Sequence, residues 1–188
     1  MKLHYMGKYN MDADSLPNNI HRDGAVKFKE PDTMAELAKK VNIISIIVMA
    51  VVVVPIIIRY RGLSFPDVLL GYGIFMLTLF PHEILHALCF KEDVWLYTNI
   101  KQGMLFVVAS ESVTKARFVF MSLLPNIVFG AVPYIISFFA DAPVIAFLGV
   151  CGLSAGAGDY YNVYNALTQM PKGAMTYMYK MNSYWYMP

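Results

Sequence analysis

The sequence predicts an all-α polytopic membrane protein of about four transmembrane helices, with a short β-hairpin between the second and third. Three observations carry that expectation. Of 188 residues, 57% are hydrophobic and only 15% charged, and mean hydropathy is +0.49; soluble domains carry about 25% charge. Four segments, 41–58, 68–90, 118–140 and 142–167, each supply the roughly 20 apolar residues that cross a hydrocarbon core of about 30 Å. Between the second and third, "VWLYTNI" and "MLFVVAS" are β-rich runs around the glycine turn "KQG".

Residues 1–40 read as a polar cytosolic tail with a short helix, lacking the apolar core and small-residue cleavage site of a signal peptide. "TMAE" (Thr33 to Glu36) fits a capping box, so a helix starts there and runs into the first span. In the second span Pro81 cannot donate to Leu77, which predicts a kink and a small wet cavity; Pro125 and Pro133 do the same to the third. The fourth span carries Gly152, Ala155, Gly156 and Gly158, small residues that let helix backbones approach closely in lipid. Residues 41–168 thus form a four-span membrane domain, and 169–188 a cytosolic C-terminal tail.

A net charge of +2 gives no footing for nucleic acid. Cys89 and Cys151 both lie in apolar stretches, which argues against a disulfide framework. Seven Lys and Arg precede the first span, four (Lys91, Lys101, Lys115, Arg117) lie in the second connection and two (Lys172, Lys180) follow the last. Only Arg59 and Arg61 fall on the opposite side, so the positive-inside rule puts both termini in the cytoplasm.

Within the spans the ionisable groups are His82, Glu83, His86 and Asp159. An aspartate at a helix centre costs about 2.5 to 3.5 kcal/mol on insertion scales, so such residues read as functional by default. In "HEILH", two histidines four apart share one helix face and can present both imidazoles to one ion, with Glu83 beside them as a base. A catalytic zinc keeps three protein ligands, so a third must come from another helix at the same depth. Asp159 meets that requirement: counted from the outer ends of their spans, His82 and Asp159 sit at depths of roughly 21 and 24 Å. Cys89, three residues after His86, is a lesser alternative, and Asn162 and Asn165 are weaker candidates for orienting a ligand. Asn126 and Ser122 read as interhelical hydrogen-bonding residues. His4 and His21 fall in the polar tail and read as solvated.

"PHEILHAL", "SLLPNIVFG" and "GDYYNVYN", with the "GAVKFKEPDT" entry, resemble small bacterial membrane proteins catalogued as zincin peptidases, the domain of unknown function 3267. The core is also similar to intramembrane metalloproteases of the site-2 protease class. The resemblance implies His82 and His86 as zinc ligands, Glu83 as general base and Asp159 as third ligand. It differs from the site-2 protease pattern in that Asp159 is followed by Tyr160 rather than glycine.

These readings make the expected function a zinc-dependent intramembrane metalloprotease in the bacterial plasma membrane. Its substrates would be membrane-anchored proteins, cut near the cytosolic face, and the hairpin edge from Val94 to Ser110 offers a strand to an unwound substrate. The alternative is a non-enzymatic metal-binding membrane scaffold or regulator. A transporter is the poorer fit, because the spans show no internal repeat.

Overall fold

The computed structural model describes residues 1–17 and 20–188. It is a mixed α/β chain, 58% helix and 17% strand, with one sheet of three strands and one of four, so the all-α expectation is overturned. In chain order the elements are β1 (Leu3–Lys8), β2 (Val26–Lys27), α1 (Met34–Tyr60), α2 (Phe65–Leu88), β3 (Val94–Asn99), β4 (Met104–Ala109) and β5 (Val113–Thr114). There follow α3 (Lys115–Asn126), α4 (Val132–Phe139), α5 (Pro143–Ala155), α6 (Ala157–Gln169), β6 (Met175–Tyr179) and β7 (Asn182–Tyr186). Two compact units result, one of residues 1–30, 83–122 and 162–188, the other of 31–82 and 123–161.

The first unit holds both sheets. The expected hairpin is present: β3 and β4 pair antiparallel from Val94↔Ala109 to Asn99↔Met104, around a turn in which Gly103 adopts φ 63°. What the sequence did not show is β1, which joins β3 in parallel from Leu3↔Val94 to Lys8↔Thr98. The second sheet, in the order β2-β7-β6-β5, draws on three distant parts of the chain. Both terminal segments therefore supply strands. His4 stacks on Trp95 and pairs with Asp93 at 3.0 Å, and His21 lies against the rings of Tyr177, Tyr179 and Tyr184, so neither is simply solvated.

The second unit is helical. Thr33 Oγ1 accepts from the Glu36 N–H at 3.2 Å, which caps α1 at the expected place. Ser64 does the same for α2 through the Asp67 N–H at 3.3 Å. At about 1.5 Å per residue, the 24 residues of α2 extend roughly 36 Å, enough to cross a bilayer core. Side chains such as Ile46 (69% exposed) and Leu77 (76%) face outward, as lipid-facing residues do. The third expected span is broken internally: after Pro125 the backbone widens into a π-turn over Ile127–Ala131, where the Val132 N–H reaches back to the Ile127 carbonyl, before α4 resumes. The fourth is α5 and α6, bent by 45° at Gly156. Among the described residues three helices are long and apolar enough to cross a membrane, or up to four where the bent pair is one span.

Close packing in this unit depends on small residues, as expected. A methyl group added at Gly152 would lie 2.2 Å from the Phe129 carbonyl oxygen, so α5 and the π-turn could not keep their separation. Ile56, Ala146 and Val150 form the buried core between α1 and α5.

Candidate metal centre

His82, Glu83 and His86 all lie on α2, which runs as a single helix through Pro81 to Leu88. Its end tightens, with the Cys89 and Phe90 N–H groups bonding three residues back to His86 and Ala87. Arg117 holds this end: its Nε and Nη2 donate to the Cys89 carbonyl at 2.9 and 2.5 Å, while Nη1 pairs with Glu111. Glu111 Oε2 in turn accepts from the Lys91 and Glu92 N–H groups. The segment following the motif is thus fixed on three sides by charge-assisted bonds.

One turn separates His82 from His86, and a ring nitrogen of each lies within 4.8 Å of the other. His86 Nδ1 donates to the Met121 carbonyl at 2.9 Å, so its Nε2 carries the lone pair. That carbonyl is available because Pro125, four residues on, has no N–H to give it. A proline in one helix therefore sets the tautomer of a histidine in another.

His82 meets Asp159. Its Nε2 stands 3.3 Å from Asp159 Oδ2, with the two side chains 18% and 15% exposed. That separation is longer than the roughly 2.7 to 2.9 Å of a charge-assisted imidazolium–carboxylate bond. Two ligand atoms on one tetrahedral zinc, each about 2.0 to 2.1 Å from the ion, stand about 3.3 to 3.4 Å apart. The donor set fits zinc, and the His82–Asp159 separation is that of two ligands on one ion. Asn126, read in the sequence as an interhelical hydrogen-bonding residue, is one: from α3 its Nδ2 donates to the same Asp159 Oδ2 on α6 at 2.7 Å, and what the sequence did not show is that this partner is the aspartate of the cluster.

Cys89 is past the end of α2, and burial pushes its thiol pKa up although Arg117 opposes this, which disfavours the thiolate a metal needs. Asn165 is buried, with its Oδ1 accepting from Gln169 Nε2 at 2.9 Å.

Residues 74–175, more than half of the chain, match the model of the family described as "Putative zincin peptidase". The chain belongs to this family. The matched stretch begins in α2 and ends in β6, so it contains His82, Glu83, His86 and Asp159. Membership in the family points to a metallopeptidase and to zinc as its metal. No curated protein and no solved structure matches the chain.

Proposed function

We propose that this zincin-family protein is a membrane-embedded zinc endopeptidase, with His82, His86 and Asp159 as metal ligands and Glu83 as general base. The observation that carries the reading is the 3.3 Å approach of Asp159, from α6, to the first histidine of the H-E-x-x-H turn. A zinc ion held there would supply Lewis-acid chemistry, polarising a scissile carbonyl and easing deprotonation of water.

The chain's own groups do the rest. His86 is pre-oriented by its Nδ1–H bond to Met121, so its Nε2 needs no rearrangement to act as a ligand. Glu83, half-buried and next to His82, takes the proton of the attacking water on its carboxylate and returns it to the departing amine nitrogen. His82 and Asp159 retain some exposure, so water reaches the site from the unit's surface.

The substrate class is a membrane-anchored protein cut near the cytosolic face, with both termini of the peptidase in the cytoplasm. Supporting this, the N-terminal segment, the second connection and the C-terminal segment pair with one another as strands, as segments sharing one side of a bilayer can. Together with the adjoining ends of α1 and α3, which hold Lys39, Lys40, Lys115 and Arg117, these segments carry thirteen of the fifteen Lys and Arg. β4, at the edge of its sheet, offers unpaired backbone groups to an unwound substrate strand.

The deciding experiment is the zinc content of detergent-purified protein by mass spectrometry, with Asp159→Ala and His86→Ala alongside. About one zinc per chain, lost or weakened in both variants, is expected of a three-ligand site. A wild type that binds none, even with zinc added under conditions that preserve the fold, rules the reading out.

A further inference from the structure

We infer that Asn126 is the residue that positions Asp159 for metal binding, and that Gly156 is a glycine in order to make room for it. The inference rests on the zinc reading above.

Asn126 is 3% exposed and sits where α3 gives way to the π-turn. Its Nδ2 donates to Asp159 Oδ2, the oxygen that also faces His82 Nε2. A carboxylate oxygen has more than one lone pair, so the amide bond occupies one direction and leaves another toward His82. An aspartate side chain otherwise turns freely about two torsions, and the amide stops that rotation before any metal arrives. Carboxylates that ligate metals are regularly held in this way by a hydrogen-bond donor behind them.

Gly156 gives a second, independent observation. A methyl group there would lie 1.7 Å from Asn126 Oδ1 and 2.4 Å from Cγ. The backbone at Gly156, φ −70° and ψ 9°, is open to any residue, so conformation does not demand glycine. The amide of Asn126 does. The bend between α5 and α6, three residues before Asp159, is therefore built around the asparagine that holds it.

The test uses full-length protein in detergent and measures zinc affinity by chelator competition, together with the visible absorption of the cobalt(II) form. Asn126→Ala and Gly156→Ala should each weaken zinc by about 10- to 100-fold and shift the cobalt bands. The double variant should be no weaker than Asn126→Ala alone, since the new methyl then enters vacated space. Equal affinity and unshifted bands in Asn126→Ala would overturn the positioning role while leaving the zinc reading intact, as would additive losses in the double variant. Absence of zinc from the wild type removes the zinc reading and this inference together. If Asn126→Ala does not fold, Gly156→Ala, which displaces the amide without deleting it, decides between the same outcomes.

Discussion

Glu83 is the residue whose role separates an enzyme from a metal-holding scaffold. It is next to His82 on α2, while the ligands we propose are His82, His86 and Asp159, so removing its charge should spare the metal. Glu83→Gln is expected to keep wild-type zinc stoichiometry and to lose peptide hydrolysis by about 10²- to 10⁴-fold, the usual contribution of a positioned acid–base group. Cleavage of a membrane-anchored reporter in proteoliposomes checks it, and undiminished cleavage would sink the assignment. At this scale the cluster of His82, His86 and Asp159 was legible in the sequence. The two histidines are local, one turn apart by the 3.6-residue period, and Asp159 followed from matching depths along two helices. Asn126 was legible as a residue that bonds a neighbouring helix, but not which one, because its partner Asp159 lies 33 positions away. The available signal was Pro125 just before it, whose missing N–H leaves the Met121 carbonyl open to a donor from outside the helix.

Among the elements, the helices were legible because length and hydropathy are properties of contiguous sequence, and the β3–β4 hairpin because its turn is local. The remaining strands were hidden for the converse reason. β1 pairs with a strand some ninety residues on, and β2 and β5 are two residues each, too short to show alternation. The alternating aromatics of "MTYMYKMNSYWY" did carry a period of two, and they form the β6–β7 hairpin. The connection after α2 depends on Glu111. Burial raises its carboxyl pKa, but the Lys91 and Glu92 N–H groups and Arg117 outweigh that and hold it below the ordinary 4.5. A group depressed in the folded state stabilises above its unfolded pKa, and that contribution is lost as pH falls through the folded value. Glu111→Gln should therefore melt below wild type at neutral pH, with the gap closing as pH falls below about 4.5. Melting temperatures across that range check it, and a gap independent of pH would refute it.

For the whole molecule, strand pairing constrains how the chain threads the bilayer. β1 and β2 lie before α1, β3 to β5 between α2 and α3, and β6 and β7 after α6. Because β1 pairs with β3 and β5 with β6, each intervening pair of helical segments must leave one side and return to it. If the chain crosses a bilayer between β1 and β3 it must do so an even number of times, and α1 and α2 are both long and apolar enough to supply two crossings. Two more are needed between β5 and β6, so if α3 and α4 cross together, the bent pair α5 and α6 must also cross rather than turn back within the membrane. If these helices cross a membrane, four crossings are the expected number. Single cysteines at Lys101 in the hairpin turn and Asp141 between α4 and α5, in a background lacking Cys89 and Cys151, provide the test. In sealed inside-out vesicles an impermeant maleimide should label Lys101→Cys and spare Asp141→Cys until detergent is added. In right-side-out vesicles the pattern should reverse. Labelling of both from one side would mean that neither α3–α4 nor α5–α6 crosses, leaving two crossings in place of four, whereas the reverse pattern in both preparations would keep the four crossings and place the sheets, with both termini, outside the cytoplasm.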